Sequence, residues 1–411
     1  MQAIDDRINL AINDLKQGKM IILIDDPDRE NEGDLIIPAE KITPEIMNFM
    51  IRQGTGIVCL SLAENQLAKL KLPLMLSSDE NTSSRGTPFT ISIDAKDGIS
   101  TGVSAADRTQ TIQVAINDDV QPEQLVKPGH IFPLRAKHHG VLERQGHTEG
   151  AIDIVRLAGF KPAAVLCEIM NPDGTMASGN QLTQFAQTHQ LNTLAISDIL
   201  TYRLARENMI AEEVSTTLPI EQYGDFAMTV IREKITEHEH MILTKQKINA
   251  IQPTLVRIHS SCVTGDLFAS KRCNCHAELH YSLQRIQDEG GILIYLNQEG
   301  RGIGLLNKIK AYALQDTGLD TVEANEQLGL PIDARNYAIA ANILRNLNIK
   351  QIRLITNNPN KVSDLKKYGI HEVIRESLPI FPNKHNYHYL KTKKEKLHHL
   401  IHFSAASNHH E

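Results

Sequence analysis

Three cysteines stand close together in the C-terminal half: Cys262, Cys273 and Cys275, in a C-x10-C-x-C arrangement. The chain holds five cysteines in 411 residues, an odd number and too few for a secreted disulfide framework. Clustered thiols outside such a framework point to Zn²⁺, which favours thiolate ligands, and three protein ligands leave one tetrahedral position for water. A water so held ionises near neutral pH and becomes a nucleophile. Two plainer readings stand beside this one: a closed structural site completed by His259 or His276, or simply buried thiols. Cys59 and Cys167 lie in apolar, strand-like contexts and read as small core residues.

A second group lies near the N-terminus, where Asp25, Asp26, Asp28, Glu30, Glu32 and Asp34 place six carboxylates within ten residues. Like charges at this density invite a compensating cation, and hard oxygen ligands suit Mg²⁺ or Mn²⁺. Further along, PGHIFPLR sets His130 among rigid turn residues. RQGHTE then puts Arg144, His147 and backbone N–H groups at a helix start, where phosphate is favoured. A metal site, a phosphate site and titratable groups together suit a small phosphorylated sugar. The C-terminal half has its own phosphate candidates, the Gly-rich loop Asn297–Gly304 with Arg301, and Lys361 after the apolar run 352–356.

The elements that must hold these groups alternate. Ile8, Ala11, Ile12 and Leu15 repeat at helical spacing over 4–19, and the apolar run 20–24 reads as a buried strand that opens into the acidic loop. Residues 89–93 alternate as a strand, Ser104 caps a helix to about Ile116, Thr148 caps another ending before Gly159, and 165–169 is again a strand. Periodicity fades between Arg203 and Ser215. The expected boundary falls at 205, giving domains of 1–205 and 206–411. Strands at 256–259, 291–296 and 352–356 then alternate with helices near 276–289, 304–315, 335–347 and 361–368. The expected fold class is an α+β N-terminal domain followed by an α/β C-terminal domain with a mixed sheet. The Lys- and His-rich tail from Phe381 reads as a solvated end. With 43 basic against 49 acidic side chains, net −6, the chain has no global basic field for nucleic acid. No apolar run reaches the ~20 residues of a membrane span and no secretory leader is evident, so a cytoplasmic location is expected.

The segments DDPDRENEGD, TGVSAADR, PGHIFPLRA, RQGHTEGAIDIVRLAG and VLCEIMNPDGTMA, in this order over residues 4–203, resemble 3,4-dihydroxy-2-butanone 4-phosphate synthase. That resemblance implies conversion of D-ribulose 5-phosphate to 3,4-dihydroxy-2-butanone 4-phosphate with loss of one carbon as formate. It implies Glu30 and His147 as ligands of Mg²⁺ or Mn²⁺. Arg29, Glu30, Asp34, Arg144, Gln145, Gly146, His147, Thr148 and Glu168 would hold substrate, with His130 and Glu168 catalytic. Enediol formation and a 1,2-shift need proton transfers beside an oxygen, which fits such residues.

RIHSSCVTGDLFASKRCNC, NQEGRGIGLLNKIKAYALQDTGLDTVEAN, PIDARNYAIAANIL and LITNNPNK resemble GTP cyclohydrolase II over about 212–400. This implies opening of the GTP imidazole ring with release of formate and pyrophosphate, with Zn²⁺ on Cys262, Cys273 and Cys275. GTP contacts would come from Arg257, Ile258, His259, Ser260, Ser261, Glu278, Glu299, Gly300, Arg301, Thr321, Thr356 and Lys361. Asp333 matches the proton acceptor. Arg335 matches a group proposed as nucleophile, although a protonated guanidinium is more plainly a phosphate clamp. The chain departs from that pattern at Ser261 (usually Glu), at Glu278 (usually Gln) and at Asn274 and His276, where CDCG has become CNCH. The leading expectation is a bifunctional riboflavin-biosynthesis enzyme, homodimeric as both families generally are. The alternative is a synthase whose degenerate C-terminal domain serves structure, dimerisation or nucleotide sensing.

Overall fold

The computed structural model describes residues 2–77, 79–245 and 253–403. The chain divides into two compact units, Met1–Arg203 and Leu204–Glu411. No helix among the described residues is long and apolar enough to cross a membrane.

In the first unit seven strands form one sheet: β1 (Ile21–Ile24), β2 (Gly33–Pro38), β3 (Cys59–Leu62), β4 (Ile93–Ala95), β5 (Leu125–Arg135), β6 (Ala163–Glu168) and β7 (Thr193–Ala195). Their order is β4-β5-β3-β6-β2-β1-β7, with β1/β2 and β2/β6 antiparallel and β3/β5 parallel. Side chains alternate between faces along a strand, and the core divides accordingly. Ile22, Leu35, Ile37, Leu60 and Val165 pack on one face with Met47 and Ile112. Ile21, Leu23, Ile36, Ala164 and Leu166 pack on the other with Ile8, Leu15 and Ile154. Helices therefore cover both faces, and Cys59 and Cys167 are buried within the sheet. Two local expectations shift: the strand expected at 89–93 begins properly only at Ile93. The helix expected to start at Thr148 runs His147–Leu157, with Gly146 rather than a hydroxyl side chain at its cap.

The second unit carries β8 (Ile210–Ile220), β9 (Gly224–Glu233), β10 (Glu239–Lys245), β11 (Thr254–Ser260), β12 (Gly291–Leu296), β13 (Gln351–Ile355) and β14 (Glu372–Glu376), in the order β14-β13-β11-β12-β10-β9-β8. β11 pairs in parallel with β12 and β13, and β13 with β14, whereas β10, β9 and β8 add an antiparallel meander. The sheet is mixed. β11, β12 and β13 end together at Ser260, Leu296 and Ile355, and the carboxyl ends of parallel strands are where such sheets bind ligands. Leu283 and Ile286 of the helix Cys275–Glu289 pack on Leu255, Leu293 and Ile355 beneath this edge.

The described part of the tail, up to residue 403, is not a solvated end, and the rest of it lies outside the described residues. Tyr387–Glu395 is a helix with Leu390 and Thr392 buried, and Ile401 is buried after it. The Lys-rich composition concealed the buried Leu390 and Ile401.

Candidate active sites

In the first unit, β2 and β6 run antiparallel with Asp34 opposite Glu168, so two carboxylates share one sheet position. β1 empties into the acidic loop, where Asp25 organises the turn by accepting from the N–H groups of Glu30 (3.1 Å) and Glu32 (3.0 Å). Arg29 bridges Asp25 at 2.7 Å and Glu30 at 2.6 Å. His147, first residue of its helix, lies with Nδ1 3.8 Å from Glu30 and Nε2 4.0 Å from Asp34. Asp34 Oδ1 and His147 Nε2 are buried without hydrogen-bond partners. Asp25, Glu30 and His147 bring ligand atoms within 4.8 Å of one another. Two orphaned polar atoms beside a tight O/N cluster fit a divalent cation of the Mg²⁺ or Mn²⁺ type. Asp25 was not among the expected ligands, because its neighbours in an acidic run look equivalent in sequence.

Electrostatics divide these groups. Glu30 is held down at about 2 by its interaction with His147 and by Arg29, against burial. Burial pushes Asp34 up to about 6, and burial with Asp34 opposite pushes Glu168 up to about 7. Glu168 also accepts from the Ile57 N–H at 2.8 Å, and a Cβ on Gly56 would lie 2.5 Å from its Oε2. Glycine is therefore required there for the carboxylate to reach the backbone. Arg144 pairs with Glu149 at 2.7 Å, and a Cβ on Gly146 would fall 2.3 Å from Arg144 Nη1. His130 is not grouped with Glu30 and His147; its partners are Asp94 at 2.7 Å and, behind both, Gly102.

In the second unit one pocket opens where β11, β12 and β13 end. Its lining includes Arg257, His259, Ser260, Ser261, the three cysteines, Glu278, Glu299, Gly300, Arg301, Thr321, Arg335, Thr356 and Lys361. Two expected residues stand back. Ile258 is wholly buried and contributes its carbonyl, which accepts from Lys361 Nζ at 2.8 Å. Asp333 sits behind Arg335, accepting from its Nε at 2.8 Å.

Cys262 Sγ and Cys273 Sγ are 3.8 Å apart, and all three sulfurs lie within 4.8 Å of one another. Two thiolates about 2.3 Å from one tetrahedral Zn²⁺ stand about 3.8 Å apart, so the spacing fits the ion. Gly265 makes room: a Cβ there would lie 2.9 Å from Cys273 Sγ and 3.0 Å from Cys262 Sγ. Asp266 fastens the neighbourhood, accepting from the Cys262 N–H at 3.0 Å and the Tyr295 hydroxyl at 2.8 Å, and facing His259 Nε2 at 3.0 Å.

Cations dominate the rest of the pocket. Arg257 Nε and both Nη atoms of Arg301 are buried without partners, the signature of a wall awaiting acceptor oxygens. Arg257 Nη2 also reaches Glu278 at 2.8 Å. Burial would raise the Glu278 carboxyl, but Lys393, Arg257, His259 and Lys361 hold it down at about 2. Ser261 accepts from the Gln298 N–H at 3.1 Å, tying the Gly-rich loop to the end of β11. Lys308, absent from the sequence expectations, bridges Cys262 (3.1 Å) and Glu299 (2.8 Å) from inside the helix Leu305–Gln315. Its signal was the turn spacing after the Gly-rich loop. Tyr389, Lys393 and His399 of the tail also line the pocket and were likewise missed.

Two sheets, each carrying a site of distinct chemistry, define a fused pair of enzymes, and known proteins divide in the same way. The family model described as 3,4-dihydroxy-2-butanone 4-phosphate synthase matches residues 9–202, and that described as GTP cyclohydrolase II matches 211–377. Riboflavin biosynthesis protein RibBA of Cytophaga hutchinsonii is 50% identical over 400 residues, covering 96% of this chain and 98% of that protein. RibBA of Aquifex aeolicus is 50% identical over 395 residues, covering 95% and 97%. The bifunctional riboflavin biosynthesis protein RIBA 1, chloroplastic, of Arabidopsis thaliana is 46% identical over 392 residues, covering 95% of this chain and 72% of that protein. Among solved structures, RibBX, a two-domain 3,4-dihydroxy-2-butanone 4-phosphate synthase from A. baumannii, superposes with a TM-score of 0.67 at 34% identity, covering 91% of this chain and all of that one.

The chain belongs to the bifunctional riboflavin-biosynthesis family RibBA, in which the synthase is joined to GTP cyclohydrolase II. It is an enzyme with both activities, a lyase and a hydrolase, and these near full-length matches favour that reading over a synthase with an inert second domain.

Proposed function

We propose that residues 1–205 convert D-ribulose 5-phosphate to 3,4-dihydroxy-2-butanone 4-phosphate and formate, and that residues 206–411 hydrolyse GTP to a diaminopyrimidine with loss of formate and pyrophosphate. In the first unit Glu30 and His147 would hold Mg²⁺ or Mn²⁺, with Asp25 beside them. In the second Cys262, Cys273 and Cys275 would hold Zn²⁺. When bound, the former stabilises a developing oxyanion and the latter activates water at neutral pH.

The chain's own groups supply the rest. Arg29 and the Arg144–Thr148 turn bind and orient the sugar phosphate. Glu168, held near neutrality by burial, is suited to pass a proton at the working pH. His130 presents Nε2, since Asp94 occupies Nδ1. In the second unit Arg257, Arg301 and Lys361 bind the polyphosphate. Arg335, fixed by Asp333, clamps the α-phosphate rather than attacking it, because a guanidinium is protonated at any working pH and the carboxylate beside it favours that form. The observation that carries this reading is the three-thiol cluster in the lining of a pocket whose buried guanidinium nitrogens lack partners.

Purified protein loaded with zinc and magnesium is incubated with each substrate while formate and the carbon product are followed. Turnover of both supports the proposal; formate from ribulose 5-phosphate alone would restrict the chain to the synthase reaction. A cytoplasmic homodimer is the accompanying proposal. The exposed edge strand β8, eleven residues long with Val214 66% exposed, offers one surface for a second copy. Sedimentation of a single monomer species would remove that part.

A further inference from the structure

The GTP cyclohydrolase II match ends at residue 377, yet the pocket does not. The helix Tyr387–Glu395 and the segment to Ile401 fold back over it and place Tyr389, Lys393 and His399 in its lining. This tail is docked at several points. Lys396 pairs with Asp320 and with Glu323 (3.1 Å), at the start of the helix whose first residue is Thr321. The Leu400 N–H donates to the carbonyl of Asn357, a pocket residue, at 2.8 Å. The Asn274 side chain also meets the Phe381 backbone: turned so that each amide atom finds a complementary partner, its nitrogen donates to the carbonyl at 3.0 Å and its oxygen accepts from the N–H at 3.1 Å. An aspartate at 274 could make only one of those two bonds.

Inside the pocket, Lys393 Nζ lies 3.8 Å from Glu278 Oε1, while Arg257 takes Oε2 at 2.8 Å. Lys393 Nζ is 4.7 Å from the Tyr389 ring centroid and the Arg301 guanidinium 5.7 Å from the same ring. One tyrosine on the tail therefore contacts two of the pocket's cations.

We propose that residues 387–401 form a wall of the nucleotide pocket and that Lys393 is a positioning residue for GTP, balancing the Glu278 carboxylate so that Arg257 and Arg301 remain available to the polyphosphate. The inference rests on the pocket being the GTP site. Without Lys393, Glu278 leans harder on Arg257, its hydrogen-bonded partner, and leaves more negative charge facing a tetra-anionic ligand. With glutamine at 278 there is no charge to balance, and the need for Lys393 falls away. The effects of the two positions are therefore coupled rather than additive.

The test compares full-length wild type, Lys393→Gln, Glu278→Gln and the double variant by GTP steady-state kinetics, with GTP affinity by calorimetry alongside. Lys393→Gln raises KM and Kd about tenfold while kcat stays within about threefold, and the double variant returns to within about threefold of Glu278→Gln. A rise of equal size on both backgrounds, or none, overturns the proposal. Should Lys393→Gln lose its zinc or its thermal transition, Lys393→Arg decides: near-wild-type KM sustains the proposal and a tenfold rise defeats it. Wild type that neither binds nor turns over GTP would instead defeat the assignment of the pocket, a separate result.

Discussion

Asp94 holds His130 twice, accepting from its backbone N–H at 3.0 Å through one carboxylate oxygen and meeting its Nδ1 at 2.7 Å through the other. The ring can neither rotate nor choose its tautomer freely, so Nε2 faces outward. Gly102 makes the approach possible: a Cβ there would sit 2.3 Å from Asp94 and 2.6 Å from His130. Asp94→Asn removes the charge and permits the opposite tautomer. The expected outcome is a fall in synthase kcat of at least about tenfold with KM for ribulose 5-phosphate little changed. Steady-state assay of formate release checks it, and an unchanged kcat would leave His130 without this support.

Glu30 is the residue shared by Arg29, His147 and the expected cation. Glu30→Ala should abolish Mg²⁺-dependent formate release, a loss of about a hundredfold or more, and weaken Mn²⁺ binding followed by electron paramagnetic resonance. Full activity in this variant removes Glu30 from the metal site.

Glu168 makes stability depend on pH in a stated direction. Its carboxyl titrates near an ordinary 4.5 when unfolded and at about 7 when folded. The stability it contributes is fully present below about 4.5 and drains away as pH rises to about 7. Glu168→Gln cannot ionise. In metal-free buffer its melting temperature should therefore gain on wild type by a few degrees between these limits and then run parallel. A gap that stays constant from pH 4 to 8 contradicts the assignment.

Cys273→Ser should leave the second unit without stoichiometric zinc by metal analysis and lower GTP turnover about a hundredfold or more. Synthase activity should persist, since residues 2–203 form their own sheet and core. Parallel loss of both activities would show that the units do not act independently.

Much of this was readable in the residues, and the pattern of failure is physical. Loops such as Asp25–Asp34 and Asn297–Gly304 announce themselves because charge and glycine at strand ends have few other uses. The strands β8 to β10 did not, because β8 is exposed along most of its length and carries Glu212 and Glu213 where an apolar face would be sought. Asp94 was hidden as one polar residue in a three-residue strand. Lys393 was hidden by its neighbours, since lysines at 391, 393, 394 and 396 look alike until the helix buries one of them against Glu278. Ser261 and Glu278, which depart from the family pattern, both have partners: the Gln298 N–H for one, Arg257 and Lys393 for the other.

The cationic lining of the second pocket has a kinetic consequence for a chain whose net charge is −6. At long range GTP meets an anionic body and is repelled; the attraction comes only from the cations that line the pocket, Arg257 and Arg301 among them. Added salt screens the long-range repulsion and the short-range attraction alike, with a Debye length of about 10 Å at 0.1 M. Capture of GTP should thus respond to ionic strength far less steeply than a uniformly basic nucleotide-binding surface would.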